Sequence, residues 1–421
     1  MPESPTGLRV EIARHALDRV PLSLIIDDSA PLINLNYFFI RDRNAHTGEN
    51  RRWEDIPVVI PESFTREFAE WCQEHGVRGK FSVVPCPAGL GRIDEGLPLF
   101  GSAQLESWLA MCREVIAPIF DITPEMLTHT FVLDLATMRP REPRIWEQWE
   151  WEALPEDDEA GVTDYIALAC QILVNVGLPP QGVTSPGGFG GRTLPFYAKV
   201  AGEAVRRVTG NPTPFFFKRF SQGPPVETPV WYPDPAAGTA VGEIIACTGD
   251  WTGSWTGYGE VSADRYIGAD LTTGRLPEVI DAGDPCVLCS HWQGFYGLHN
   301  EDRRGFRTLQ TVVARLQARD PHNERTQWRR VSEITNYACA REMASLRWEG
   351  ETLYCELPVQ VKDFTLRLEG DAPRAVRVDG VALQPVTSRR AFRSGTFLVE
   401  GRVSWIAFDP VARHVTVEVL R

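Results

Sequence analysis

What the 421-residue sequence lacks narrows its function first. It has no dense Lys/Arg run and a formal net charge of −13, so a phosphate backbone is repelled and nucleic acid is not an expected partner. No stretch approaches the ~20 apolar residues that span a bilayer. The opening Met1 to Val20 is interrupted by Glu11, Arg14, His15 and Asp18, where a signal peptide needs an apolar core. No membrane partner and a cytoplasmic address are the matching expectations. The nine cysteines are odd in number and irregular in spacing, unlike a disulfide framework. The only CxxC, Cys286/Cys289, lies in an apolar run that reads as a strand, which sends its two thiols to opposite faces and argues against a zinc or redox pair. No internal repeat or low-complexity segment is visible.

What is present describes a folded globular chain. Hydrophobic residues make up 43%, charged residues 24% and aromatics 10%, with 13 Trp, so function belongs in a folded cleft rather than in a disordered tract. The length favours one barrel-sized domain plus a smaller one. Seven apolar runs read as strands: Leu22 to Ile26, Lys80 to Val84, Leu127 to Leu133, Gly182 to Ser185, Pro214 to Phe217, Glu243 to Cys247 and Cys286 to Cys289. Segments of helical period separate them, for example Phe64, Phe68, Trp71 and Cys72 closed by Gly76, or Phe306, Leu309, Val313 and Leu316. After about Arg341 the pattern turns to short alternating runs such as Phe364-Thr-Leu-Arg-Leu and Val415-Thr-Val-Glu-Val. The expected fold class is therefore α/β: a distorted (β/α)7-type barrel over residues 1–340, followed by a C-terminal antiparallel β-sandwich domain over residues 341–421.

Chemistry is expected where apolar strands meet their loops. The first strand ends in Ile25-Ile26-Asp27-Asp28-Ser29, two adjacent carboxylates, of which one can hold a metal and the other take a proton from water. A turn acid plus a helix cap is the bland alternative. His129-Thr130 and, four residues on, Leu133-Asp134 form a second group. A glycine-rich stretch, Ser185-Pro-Gly187-Gly188-Phe-Gly, is a third, where exposed amides can face an oxyanion. Asp250-Trp251 follows the strand Glu243 to Cys247, and Ser290-His291 ends the strand Cys286 to Cys289.

In this order these motifs resemble the NodB-like polysaccharide deacetylases, over about Leu22 to Leu316. That resemblance implies a hydrolase of an acylated carbohydrate, with Asp27 as base, Asp28 and His129 on a divalent metal, zinc or another first-row ion, and His291 as acid with Asp250 holding its ring. The sequence departs from the family twice. Leu133 stands where a second histidine is expected, so Asp134 is taken either as the replacement ligand or as a loop cap. The arginine of the third motif is absent, with Arg192 only nearby. Trp251, Trp292 and Phe295, with Gly187, Gly188 and Arg192, are the substrate-binding candidates, aromatic core packing being the alternative for the three rings. A degenerate barrel that binds carbohydrate, or a hydrolase of a glycosidic or non-sugar amide bond, are the competing readings.

Overall fold

The computed structural model describes residues 7–30, 44, 48, 50, 59–98, 100–250, 261–297 and 302–420. Through the first three quarters of the chain the strands are β1 (Arg9–Ile12), β2 (Val20–Asp27), β3 (Gly79–Ser82), β4 (Phe120–Thr123), the short β5 (Leu133–Asp134) and β6 (Arg139–Pro140), β7 (Gly182–Thr184), β8 (Phe215–Phe220), β9 (Val230–Asp234), β10 (Thr239–Ala246), β11 (Cys286–His291) and β12 (Thr326–Trp328). One parallel sheet runs β11-β2-β3-β4, with β12 also on β2. A second runs β7-β8-β10 in parallel and ends in the antiparallel β9. Helices such as Glu62–Glu74, Glu159–Asn175 and Leu194–Thr209 connect the strands.

Mixed α/β architecture is as expected, but the described strands do not form one closed ladder. The two sheets meet instead at two seams of a few bonds each. At one seam the Gln181 and Thr184 amides donate to the Ile122 and Pro124 carbonyls, at 3.1 and 2.9 Å; at the other the Cys247 amide donates to the Val287 carbonyl at 2.7 Å. Alternation sorts the side chains between two cores. Leu22, Leu24 and Ile26 face the helices, whereas Ile25 faces inward with Phe215, Phe217, Ile244, Ala246, Val287 and Cys289. Cys286 and Cys289 fall in these two different cores, as their spacing in a strand predicts, and all nine cysteines are free and buried. The run Leu127 to Leu133 is not the strand expected after Lys80 to Val84. That strand is β4, and the residues after it form a buried loop.

Nine further strands follow: β13 (Ser345–Glu349), β14 (Thr352–Glu356), β15 (Phe364–Glu369), β16 (Ala375–Val378), β17 (Val381–Ala382), β18 (Gln384–Val386), β19 (Thr396–Glu400), β20 (Val403–Phe408) and β21 (His414–Leu420). They make two five-stranded sheets, β13-β14-β21-β16-β17 and β1-β15-β20-β19-β18. Val10, Phe364, Leu366 and Ile406 of one sheet share a hydrophobic cluster with Leu353, Val376, Val415 and Val417 of the other. Strand β1 pairs antiparallel with β15, Val10 opposite Leu368, so residues 9–12 lie with the β-rich unit that the sequence pattern assigns to 341–421. The helix Val331–Met343 sits between the two parts, with Val331 and Ile334 in the inner core of the parallel strands and Tyr337 in the β-rich cluster.

Candidate active site

Strand β2 delivers its two carboxylates to different places. Asp27 follows the inward parity of Ile25 and is buried, where Lys80 of β3, with no exposed surface, donates to its Oδ1. Lys80 Nζ also donates to Ser82 Oγ at 2.8 Å and Thr184 Oγ1 at 2.7 Å, so all three of its protons are placed. Burial pushes the Asp27 carboxyl up to about 6, against the opposing charge of Lys80.

Asp28 turns the chain with φ +62° and presents its carboxylate to a second group. His129 Nε2 lies 2.6 Å from Asp28 Oδ1 and 3.4 Å from Glu125 Oε1. The ligand atoms of Asp28, Glu125 and His129 all lie within 4.8 Å of one another, and all three residues are buried. The cluster is braced from outside: Gln293 Nε2 donates to Asp28 Oδ2 at 2.6 Å, the Asp28 amide donates to Glu125 Oε2 at 2.7 Å, and the Gln148 amide meets His129 Nδ1 at 3.2 Å. Burial raises the Asp28 carboxyl, but the positive charges of His129 and His291 and the Gln293 amide outweigh it and hold it below the ordinary range. Burial likewise works to strip the His129 proton, and the negative charges of Asp28 and Glu125 outweigh it, so that imidazole is raised well above its ordinary value.

These residues fit a divalent cation. Asp28 Oδ1 and Glu125 Oε1 stand 2.6 and 3.4 Å from the one imidazole nitrogen, so two carboxylates and an imidazole offer three buried ligand atoms to one ion. Two carboxylates and one imidazole do not single out zinc among such ions.

Glu125 is a residue the sequence reading missed. It lies two residues past β4 and forms an isolated parallel bridge with Thr184, but the strand was expected seven residues later. His129 stands in the loop beyond it, at φ +64°, rather than at a strand end. The buried Glu147 sets that loop: its Oε1 accepts from the Leu127 and Thr128 amides and Tyr165 Oη, and its Oε2 accepts from the His129 amide at 2.7 Å. Lys80 carried a usable signal, a lone cation in an apolar run, since a fully buried lysine requires a partner. Gln148 and Gln293 carried none.

The other expected residues divide. His291 ends β11 beside Asp27 in register, and its Nδ1 faces Asp250 Oδ2 at 3.3 Å. Burial lowers its pKa, but Asp250 first and then Asp28 raise it to about 10. Asp134 is not brought to the cluster. It is exposed on the β5/β6 ribbon, where its Oδ1 accepts from the Thr137 amide and hydroxyl, each at 2.9 Å, as a turn cap. Trp292 and Phe295 are core rather than sugar-stacking residues: Trp292 is 3% exposed against Phe64, Phe68 and Phe81, and Phe295 packs on Phe68. Arg192 is exposed and pairs with Glu152 at 2.9 Å. Trp251 lies outside the described residues.

From Gly188 onward the glycine-rich stretch offers no oxyanion cradle. The amides of Gly188, Phe189, Gly190, Gly191 and Arg192 are all spent on backbone carbonyls, and the Gly187 carbonyl accepts from Lys218. Gly187 matters sterically instead. Its φ is +44°, and a Cβ there would stand 2.8 Å from Gln148 Oε1.

No family model and no curated protein matches the chain. Among solved structures it is similar to a cycloalternan-forming enzyme from Listeria monocytogenes in complex with a pentasaccharide substrate, at 9% identity and a TM-score of 0.36 over 97% of this chain; the chain spans 55% of the length of that enzyme. It is also similar to an Anoxybacillus alpha-amylase, at 8% identity and TM-score 0.30 over 97% of this chain and 99% of that one, and to a Thermotoga maritima alpha-fucosidase, at 10% and 0.27 over 97% of each. The expected membership of the NodB-like deacetylases, and with it the deacetylase activity, is accordingly withdrawn: neither a family model nor a curated protein supports it.

Proposed function

We propose that the chain hydrolyses a glycosidic bond of a carbohydrate, with a divalent cation held by Asp28, Glu125 and His129. The observation that carries the reading is the convergence, on the side of the sheet where β2 and β11 end, of a buried Asp28–Glu125–His129 cluster with Asp27 and the His291/Asp250 pair. The backbone amides of 188–192, expected to face an oxyanion, are already bonded to carbonyls and so give an acyl-transfer reading no support from this loop. Acetal cleavage needs no oxyanion hole. It needs an acid for the leaving oxygen, a base for water and negative charge near the developing oxocarbenium ion.

In this reading His291 donates through Nε2, with Nδ1 turned to Asp250. Asp27, whose Oδ1 is fixed by Lys80 and whose Oδ2 meets the Cys289 thiol at 4.0 Å, takes the proton from water. A cation held by Asp28, Glu125 and His129 would supply Lewis acidity toward the attacking water. Gln148 and Gln293 orient its ligands.

The test is release of reducing sugar or aryl aglycone from a panel of oligosaccharides and aryl glycosides, before and after chelation and with divalent ions restored. Activity lost on chelation, regained with an added ion, and lowered by about two orders of magnitude or more in Glu125→Gln supports the reading. A cation-loaded protein that cleaves no glycosidic bond in the panel overturns it.

A further inference from the structure

A cleft of about 920 Å³ opens at the opposite end of the strands from the Asp28 cluster. In its wall Pro21 stands at the start of β2, and Arg78 and Pro285 precede β3 and β11; the far ends of β2 and β11 carry Asp27 and His291, so the cleft lies roughly 20 Å from that chemistry at ~3.3 Å per strand residue. Its remaining wall comes from the helix Val331–Met343 and from the loop holding Gln360, Val361 and Lys362.

The lining is strongly basic in a chain of net charge −13. Six arginines and Lys362 face three glutamates, Glu227, Glu333 and Glu342. Two of the arginines are spent on structure, Arg14 on Asp284 at 2.6 Å and Arg329 on Asp363 at 2.6 Å and Glu333 at 3.4 Å. The others are not. Among the described residues Arg78 donates only to the Val77 carbonyl, Arg330 to that of Pro118 and Arg341 to that of Arg14, and no carboxylate lies within ion-pair distance of these three or of Lys362. Arg19 is the most telling. It is 9% exposed, its Nη2 is held by the Arg389 and Phe392 carbonyls, and its Nε is buried with no hydrogen-bond partner.

Five cations with no carboxylate at ion-pair distance among the described residues, around a cavity of small-molecule size and one of them with an unpartnered buried donor, favour an anionic ligand. Guanidinium forks match phosphate oxygens. The donors stand on segments that wall the cleft from several sides, which suits the tetrahedral spread of phosphate oxygens better than the planar pair of a carboxylate. We propose that this cleft binds a small polyanion bearing two or more phosphate groups, at a site separate from the proposed active site and independent of its chemistry.

Titration calorimetry on the full chain with pyrophosphate, inorganic phosphate and citrate tests this. Saturable pyrophosphate binding, one per chain, is expected, tighter than either other probe and weakened by salt. It should be at least about tenfold weaker in Arg78→Gln/Arg341→Gln, with a smaller loss in Lys362→Gln, whose exposed side chain leaves the ligand-free melting temperature unchanged. Absence of saturable binding at millimolar pyrophosphate overturns the site. So does affinity unchanged in both variants, and citrate binding more tightly overturns the assignment to phosphate.

Discussion

A lysine with no exposed surface must place every proton it carries, and Lys80 places them on Asp27, Ser82 and Thr184. Removing one member of such a pair leaves a buried charge uncompensated, which costs more than the pair contributes. Lys80→Met should therefore destabilise the fold by about 3–5 kcal/mol, and Lys80→Met/Asp27→Asn should recover part of that loss, because the second change removes the stranded charge. Urea unfolding of the two variants measures both effects, and a Lys80→Met chain as stable as the parent would mean that Asp27 is neutral or hydrated without its partner. At this scale the candidate site was half legible. Asp27, Asp28 and His291 follow apolar strands, so parity and position point to them from the sequence. Glu125 and Gln148 reach His129 only through the path of a loop, which no local pattern encodes.

The elements around the site explain that gap. Leu127 to Leu133 has the apolar composition of a strand, but the amides of Leu127, Thr128 and His129 find the Glu147 carboxylate instead of a neighbouring strand. A side chain 18 to 20 residues away has replaced the sheet ladder, and a strand pattern without a ladder becomes a loop. Gln148, next in sequence to Glu147, then braces His129 from the same segment, and the tight turn at Gly187 packs against it. Gly187→Ala forces a Cβ at φ +44° into the Gln148 side chain, so its effect should appear at the cation site rather than in global stability alone. Divalent-ion affinity is expected to fall about 10- to 100-fold, as for loss of a residue that orients a ligand, with Gln148→Ala giving a similar loss. Calorimetric titration with manganese reads it directly, and a Gly187→Ala chain that binds as tightly as the parent would detach the turn from the site.

At the scale of the whole molecule, composition and alternation separated a parallel α/β part from a β-rich part, whereas the placement of β1 with β15, the two seams and the basic cleft were not legible. Each depends on pairing residues far apart in the chain: Val10 with Leu368, Thr184 with Pro124, Arg78 with Arg341. The same long-range logic bears on how the two parts are coupled. The helix Val331–Met343 puts Val331 and Ile334 into the inner core of the parallel strands and Tyr337, 5% exposed, into the β-rich core. There the Tyr337 ring lies 6.2 Å from Phe364, and its hydroxyl donates to the Ala13 carbonyl at 3.2 Å and accepts from the Thr365 amide at 3.4 Å. One rigid helix thus fills holes in both cores, and neither part can unfold without uncovering the apolar surface that the helix seals in the other. Calorimetry should show a single cooperative transition for the full chain. Tyr337→Ala removes a large buried ring, a loss of about 3–5 kcal/mol by analogy with Phe→Ala, and should split the transition, with the β-rich part melting first while the parallel strands keep Val331 and Ile334. Tyr337→Phe, which loses only the hydroxyl bonds at about 1 kcal/mol, should lower the midpoint slightly without splitting it. A parent chain that already melts in two steps, or a Tyr337→Ala chain that still melts in one step at the parent temperature, would show that the helix does not couple the two parts.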